Sequence, residues 1–240
     1  MKRLALMLAL LAGPAAAGCA EVTFEGQSFT ACEVDPSQEE LRLWLHDGEG
    51  RPWAGFDRLD AALEAEGARL GIAMNGGMYH PDRSPVGLYV EEGREIAPIV
   101  TREGPGNFGL LPNGVLCIAS TGVRVIESRR FAAERPGCDY ATQSGPMLVI
   151  GGELHPRFLP DSTSRHIRNG VGVREDGTVV LAIANEPVTF DTFGRFFRDE
   201  MKTPDALYLD GSISRLHAPG LGRSDFGLPL GPILGTVVRP

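Results

Sequence analysis

Ala206-Leu207-Tyr208-Leu209-Asp210-Gly211-Ser212-Ile213-Ser214 is the stretch around which the rest of the chain can be interpreted. Its apolar, strand-forming half stops at a carboxylate, and a glycine and two hydroxyl side chains follow. This pattern is typical of a buried strand that brings a polar group to the edge of a sheet. A strand that runs into an ordinary Asp-Gly turn gives the same pattern. Taken alone, the stretch favours the ordinary turn.

Three other strand ends carry polar residues in the same way, and together they reverse that preference. They are Asn75-Gly76-Gly77, Ser144-Gly145-Pro146 and Arg165-His166-Ile167-Arg168-Asn169-Gly170. We expect the four ends to converge on one edge of a sheet.

The residue types at these ends are those that bind an anion. Arginine donates two parallel hydrogen bonds to a phosphate or carboxylate, and the amides of serine and glycine in turns form anion-binding concavities. Asp210 is the carboxylate best placed to act as a base or nucleophile. Either Arg165 or Arg168 alone would be more typical of a solvated loop.

The pattern elsewhere predicts an α+β fold in a single domain, with a mostly antiparallel or mixed sheet and two main helices. A hairpin is predicted from strands 22–24 and 28–30, and another from 108–111 and 115–119 through Pro112-Asn113-Gly114. The first helix is predicted over 56–66.

An aromatic stripe predicts the second helix. Phe190, Phe193, Phe197 and Met201 share one helical face, with Thr189 or Asp191 as the cap. We interpret this stripe as core packing. A G-x-G-x-x-G match at 104–109 is not a dinucleotide fingerprint, because a strand follows it where the fingerprint needs a helix.

Residues 1–17 are typical of a secretory signal, with Lys2 and Arg3 before an apolar core and three alanines at 15–17. The apolar core is too short to span a bilayer and no later segment approaches that length, so no transmembrane segment is predicted. The mature domain is predicted over 18–240, in the periplasm or secreted. Loss of Lys2 and Arg3 changes the net charge from -8 to -10. An acidic surface disfavours nucleic acid and anionic membranes as partners.

Four cysteines remain after residue 17, an even number that suits an oxidising compartment. Cys19 and Cys32 flank the first predicted hairpin and are expected to pair, which leaves Cys117 and Cys138 as the second disulfide. Lipidation of Cys19 is the alternative, since 16–19 resembles a lipoprotein box that lacks its aliphatic residue. No zinc-like spacing occurs, and neither a metal nor a cofactor is predicted.

The ordered motifs resemble the phosphodiester glycosidases, the family of the enzyme that uncovers mannose 6-phosphate tags. The matching pieces are Met74-Asn75-Gly76-Gly77-Met78-Tyr79, Ser144-Gly145-Pro146-Met147-Leu148, Arg168-Asn169-Gly170-Val171-Gly172 and Leu209-Asp210-Gly211 with Ser214. The resemblance implies an α+β fold and hydrolysis of a sugar joined through its anomeric carbon to a phosphodiester. It also implies that Arg168 and Asp210 are the motif arginine and aspartate.

One departure from the family pattern lies beside the aspartate. The family commonly has two glycines there, whereas here Ser212 follows Gly211. We expect the extra side chain to narrow the loop or to fill part of the pocket. The 79–83 insert and the 112–114 turn resemble a bacterial secreted subgroup.

The favoured hypothesis is a secreted or periplasmic hydrolase of a phosphorylated carbohydrate. Asp210, Arg168 and Asn75 are its predicted catalytic residues, and His166 and His217 are weaker candidates for proton transfer. The predicted substrate-binding residues are Gly76, Gly77, Ser144, Gly145, Arg165, Asn169, Gly211, Ser212 and Ser214. The alternative is a non-catalytic envelope protein that binds a phosphorylated glycan or exopolysaccharide, which the same arginines and amides would serve.

Overall fold

Strands make up most of the regular structure in the computed structural model, which describes residues 18–239. The predicted signal segment, residues 1–17, lies outside the described residues. The strands within 18–239 are β1 (Gly18–Phe24), β2 (Gln27–Val34), β3 (Glu40–Trp44), β4 (Arg69–Asn75), β5 (Tyr89–Glu91), β6 (Arg94–Ala97), β7 (Gly114–Ala119), β8 (Gly122–Glu127), β9 (Tyr140–Ser144), β10 (Met147–Ile150), β11 (Glu153–Leu154), β12 (Asn169–Val173), β13 (Val179–Ala184), β14 (Asp205–Asp210), β15 (Leu216–Ala218), β16 (Arg223–Ser224) and β17 (Ile233–Val238).

Three α-helices accompany these strands in the described part of the chain. They are α1 (Phe56–Ala65), α2 (Ser128–Glu134) and α3 (Phe190–Arg195), and a π-helical turn over Phe196–Glu200 continues α3. The predicted α+β class is confirmed.

The strands form three antiparallel sheets. The first has the order β1-β2-β13-β12-β14-β10-β11, the second β16-β15-β4-β17-β3 and the third β6-β5-β9-β7-β8. In the first sheet β12 lies next to β14, so the start of β12 and the end of β14 share one edge. That edge holds two of the polar residues that the sequence places at strand ends, Asn169 and Asp210, whereas Asn75 and Ser144 end strands of the second and third sheets.

One shared core lies between the three sheets, and a helix covers the other face of each. Leu181, Leu234 and Leu116 bring one side chain from each sheet into the shared core. On the outer faces, α3 packs on the first sheet, α1 on the second and α2 on the third. The strands are therefore apolar on both faces: in β14, Leu207 and Leu209 enter the shared core while Ala206 and Tyr208 face α3.

Both predicted disulfides are present. Cys19 and Cys32 lie directly opposite each other in the β1–β2 ladder and are bonded. Cys117 of β7 is bonded to Cys138, which precedes β9. The hairpin argument for the first pair is confirmed.

The predicted hairpin through Pro112-Asn113-Gly114 is wrong. Residues 108–111 form turns, and β7 pairs with β8 and β9 instead. Asn113 is fully buried, and its Nδ2 donates to the Phe108 carbonyl at 2.8 Å. Its backbone oxygen accepts from the Ser128 amide at 3.0 Å, so the Asn-Gly pair joins a loop to α2 instead of forming a hairpin tip.

The two predicted helices are present, and one helix was not predicted. Thr189 caps α3 by accepting from the Thr192 amide, and the aromatic stripe is buried as expected. Helix α2 escapes prediction because it has only seven residues and its cap is Glu127, whose carboxylate accepts from the Arg130 amide. None of the helices within 18–239 has the length and apolar character needed to cross a membrane.

Candidate functional site

A β-bulge sets the edge at which the candidate site lies. Asn169 is opposite Asp210 and Gly170 is opposite Tyr208, so Leu209 is an extra residue on β14. A bulge of this kind bends the strand and redirects its side chains. Asp210 therefore ends β14 directly beside Asn169, as the sequence pattern anticipated.

A buried hydrogen-bond network joins this edge to the second sheet. Asn75 Nδ2 donates to Asn169 Oδ1 at 3.2 Å, and Asn169 Nδ2 donates to the Asn75 carbonyl at 3.0 Å. Ser214 Oγ lies 3.2 Å from Asn169 Oδ1 and 3.0 Å from the Asp210 carbonyl. The Arg215 amide donates to Asn75 Oδ1 at 2.8 Å. Asn75 and Asn169 are almost fully buried, and their hydrogen bonds join the second sheet to the edge of the first.

The third sheet reaches the same edge through Ser144, whose hydroxyl donates to the Leu209 carbonyl at 3.1 Å. The neighbouring glycines are buried against protein. A Cβ on Gly77 would overlap Thr142 Oγ1, one on Gly76 would lie 3.0 Å from Pro232 Cβ, and one on Gly145 would crowd Asn113. The three sheets thus pack closely at Ser144, Gly76, Gly77 and Gly145. The contact of these residues with a substrate stays a prediction.

Residues 210–214, the Asp210 loop, fold back on the carboxylate. Asp210 Oδ1 accepts from the Gly211 amide at 2.6 Å and the Ser212 amide at 2.8 Å. Within residues 18–239 its other oxygen, Oδ2, accepts no hydrogen bond. Asp210 is half-buried, so one oxygen is fixed by the loop and the other is free for a ligand.

The Asp210 loop also explains the glycine and the serine that follow the aspartate. A Cβ on Gly211 would overlap the Tyr208 hydroxyl. Ser212 is exposed, and its amide makes the contact that a glycine amide would make. Ser212 also lines a groove beside the loop, and the expectation that its side chain narrows the loop or fills part of the pocket stays a prediction.

Arg168 is fully buried between two aromatic rings. Its Cζ lies 3.6 Å from the Phe190 ring centre and 5.5 Å from that of Tyr208. Nε donates to the Val188 carbonyl at 3.0 Å and Nη2 to the Ser164 carbonyl at 3.2 Å. Nη1 is buried and has no partner in the described chain. An unpaired buried donor costs free energy unless a ligand or water satisfies it, so Nη1 is a candidate contact for an anion.

Two tyrosines beside Asp210 were not singled out from the sequence. Burial raises the pKa of the Tyr208 hydroxyl, the Arg168 guanidinium lowers it, and the Asp210 carboxylate raises it further. Burial also raises the pKa of Tyr79, Asp210 adds to that rise, and Arg83 and Arg215 oppose it. Asp210 therefore lies between two tyrosine–arginine pairs, Tyr208 with Arg168 and Tyr79 with Arg215.

Tyr208 and Arg215 differ in how readily a role at the site could be recognised from the sequence. In the sequence pattern Tyr208 fits the apolar run of a buried strand. Only its hydroxyl group indicates that it could also make a polar contact. Arg215 lies one residue beyond the stretch from which the site was inferred. It is 7% exposed, and burial lowers its pKa while Tyr79 and Asp225 raise it. The sequence signal that could have identified Arg215 is its position as a charged residue between Ser214 and the short strand β15.

The other predicted residues are more distant or more exposed. Arg165 and His166 are exposed at the surface of the loop that precedes β12. His217 lies on the α1 side of the second sheet, against Phe56, and its Nδ1 pairs with Ser224 Oγ at 2.9 Å. Their roles stay predictions, and the position of His217 does not favour one in proton transfer at Asp210.

Chemically, the edge offers one free carboxylate oxygen, on Asp210. Two buried arginines belong to the adjoining segments, Arg168 before Asn169 and Arg215 after the Asp210 loop, and each has one nitrogen without a partner in the described chain. Such a set suits a reaction in which a carboxylate acts next to a departing anion. No group of three or more metal-ligating side chains is found in the described part of the chain. A cavity of about 1040 Å³ is lined in part by Trp44 and Trp53, and none of its lining residues belongs to this edge.

Comparisons with known proteins place this chain in a family. The phosphodiester glycosidase model matches residues 68–217. The chain is 33% identical over 224 residues to the YigE protein of Escherichia coli K12, covering 92% of this chain and 86% of that protein.

Solved structures share the fold. The catalytic domain of zebrafish N-acetylglucosamine-1-phosphodiester alpha-N-acetylglucosaminidase, auto-inhibited by its pro-peptide, matches with a TM-score of 0.62 at 13% identity, over 92% of this chain and 81% of that one. An exported protein of Burkholderia pseudomallei matches with a TM-score of 0.61 at 13% identity, over 89% of this chain and 74% of that one. With a family model over more than half of the chain and a relative that is 33% identical over 92% of it, this protein belongs to the phosphodiester glycosidase family.

Proposed function

We propose that this protein is a periplasmic or secreted hydrolase that cleaves a glycosyl phosphodiester at the anomeric carbon of the sugar. The observation that carries the proposal is the Asp210 carboxylate, with Oδ1 fixed by two amides and Oδ2 free within the described chain. Family membership supports the class of bond. The two disulfides support a location in an oxidising compartment.

The chemistry of the leaving group explains why one carboxylate can suffice. Most glycosidases use a second carboxylic acid to protonate the departing oxygen. A phosphate leaves as a stable anion, so it needs stabilisation of negative charge more than it needs a proton. A guanidinium held in a buried site supplies that stabilisation without reorganising during the reaction.

Asp210 would act on the carbon side of the bond, as the nucleophile or as the base for an attacking water. Arg168 Nη1 would face the phosphate, with Phe190 and two carbonyl groups fixing the guanidinium. Tyr208, whose hydroxyl lies between Arg168 and the Asp210 loop, would donate to the same anion.

Asn75, Asn169, Ser144 and Ser214 are then positioning residues. Their hydrogen bonds are made to one another, to the Asp210 loop and to the end of β14. They keep the carboxylate at the edge where the three sheets meet. This positioning role for Asn75 replaces the catalytic role that the sequence predicted.

The test is turnover by the purified mature chain on a panel of sugar-1-phosphodiesters, with release of free sugar as the readout. Asp210→Asn keeps the shape of the side chain and removes its charge, and it is the matched inactive control. Release of sugar by the wild type but not by Asp210→Asn supports the proposal. Tight binding of the same compounds without any release favours the alternative, a non-catalytic protein that binds phosphorylated glycans.

A further inference from the structure

A groove of about 590 Å³ lies directly beside the Asp210 loop. Gly211 and Ser212 form part of one wall, and residues 225–228 form part of the other. The groove therefore adjoins the loop that holds the Asp210 carboxylate.

Arg215 lines this groove with an unsatisfied charge. Its side chain is more than nine-tenths buried, and Nη2 has no hydrogen-bond partner in the described chain. The second arginine of the groove is different, because Arg223 donates to both oxygens of Asp225 and also to Thr30 and Asn185. The positive charge left for a ligand is that of Arg215.

The segment that contains Gly227 lies close to the Arg215 side chain. Gly227 has φ +145°, in the region that favours glycine, and a Cβ there would lie 3.1 Å from Arg215 Nη2. The Gly227 backbone thus passes close to the guanidinium, at a point where a side chain would crowd it. The Arg215 amide is tied to Asn75 Oδ1, so the network that holds the Asp210 loop also fixes this arginine.

The rim of the groove is apolar and exposed. Phe226 is 96% exposed, Leu228 66% and Ile167 42%, and all three line the groove. They are three of seven large hydrophobic side chains that are exposed in the described chain. Exposed apolar side chains that gather around one concave site mark a surface that binds an apolar partner.

From these contacts we infer that the groove binds the substrate beyond its sugar: Arg215 makes a second contact with the phosphate, in addition to that proposed for Arg168, and Phe226, Leu228 and Ile167 hold an apolar aglycone. The inference rests on the proposed function and names its substrate class, a sugar-1-phosphodiester of an alkyl or lipid alcohol. A second sugar as aglycone would place hydroxyl groups against three apolar side chains, and it would be the poorer substrate.

The test is calorimetric binding of octyl phosphate, which has the anion and the alkyl chain but no glycosidic bond. Inorganic phosphate and octyl glucoside are the two matched probes: the first has the anion without the alkyl chain, and the second has the alkyl chain without the anion. We expect octyl phosphate to bind at least tenfold more tightly than either probe, because burial of each methylene contributes about fourfold in affinity. Equal affinity for octyl phosphate and inorganic phosphate would overturn the apolar part of the inference.

Three variants separate the two contacts. Phe226→Ser changes a fully exposed side chain, so it should fold, and it should lose at least fivefold in affinity for octyl phosphate. Arg215→Gln should lose affinity for both octyl phosphate and inorganic phosphate. Leu159→Ser removes a leucine that is 63% exposed elsewhere and should bind like the wild type. Loss in Leu159→Ser equal to that in Phe226→Ser would show non-specific adsorption and would contradict the inference.

Turnover distinguishes this inference from the proposed function. If octyl phosphate binds as expected but no glycosyl phosphodiester is cleaved, the groove stands and the proposed hydrolase activity fails. If diesters with methyl and octyl aglycones are cleaved with equal kcat/KM and octyl phosphate does not bind, the activity stands and the apolar aglycone is wrong.

Discussion

Asn75 at the end of β4 and Asn169 at the start of β12 exchange two hydrogen bonds between different sheets. Both side chains are almost fully buried, and each has a further partner near the Asp210 loop, the Arg215 amide for Asn75 and Ser214 for Asn169. The pair therefore links the fold of the second sheet to the position of the carboxylate in the first. Buried amides of this kind keep their geometry only while every member is satisfied.

Asn75→Ala should lower the free energy of unfolding by about 1–3 kcal/mol, because it leaves the buried Arg215 amide without a partner and removes one of the two donors to Asn169 Oδ1. Gln38→Ala, which removes an exposed amide, is the control and should change it by less than about 0.5 kcal/mol. Urea denaturation measures both. A double variant with Asn169→Ala should cost less than the sum of the two single changes, and strict additivity would contradict the coupling.

Gly211→Ala should reduce kcat/KM at least tenfold, since the added methyl group would overlap the Tyr208 hydroxyl and displace the Asp210 loop. Gly48→Ala is the matched control, because nothing lies within 4 Å of a Cβ built there. Steady-state kinetics on a cleaved phosphodiester would measure the effect. If the activity of Gly211→Ala equals that of Gly48→Ala, the close contact has no part in the reaction.

Ser212→Gly, which restores the glycine common in the family, should change kcat/KM by less than about twofold. The Ser212 side chain is exposed, and the contact with Asp210 comes from the backbone amide, which a glycine keeps. Kinetics on the same substrate decide the matter. A large gain on substitution would show that the serine side chain does restrict the site.

Arg168→Lys and Arg165→Lys form a matched pair of conservative changes in one loop. A lysine at 168 loses the planar contact with Phe190 and one of two carbonyl contacts, so we expect a loss of about 1–3 kcal/mol in stability and a raised KM for an anionic substrate. Arg165 is exposed, and its change should leave stability within about 0.5 kcal/mol. Equal KM values for the two variants would remove Arg168 from the binding site.

The strand ends that hold the site could be predicted because each marks a change from apolar to polar residues. Asn75, Ser144, Asn169 and Asp210 do converge, through side-chain contacts between sheets. Tyr208 and Arg215 could not be recognised in this way. The extra residue at Leu209 and the approach of Gly227 to Arg215 depend on pairing between distant segments, which local pattern does not record. The wrong hairpin at Asn113 has the same cause, since its strong turn signal is used to bury a loop.

Glu91 should make stability depend on pH, away from the candidate site. Burial raises the pKa of its carboxyl to about 7, above the ordinary value of 4.5, so between these values the folded chain binds more protons than the unfolded chain. The free energy of unfolding therefore falls as pH rises from about 4.5 to 7, by no more than about 2 kcal/mol because solvent screens a half-buried group. Glu91→Gln should remove this fall, and Glu21→Gln, which changes an exposed carboxylate on β1, should keep it. Parallel stability curves for the wild type and Glu91→Gln would contradict the assignment.

The position of bond cleavage is the sharpest test of the role of Asp210. If its free oxygen acts on the carbon side, as nucleophile or as base for water, turnover in oxygen-18 water puts the label into the sugar hydroxyl and none into the phosphate. Attack at phosphorus would reverse this distribution, since the new bond would then form to the phosphate. Mass spectrometry of both products after a single turnover gives the answer, with products incubated in labelled water as the exchange control. Label in the phosphate would refute cleavage at the anomeric carbon and would leave the fold and the family membership unchanged.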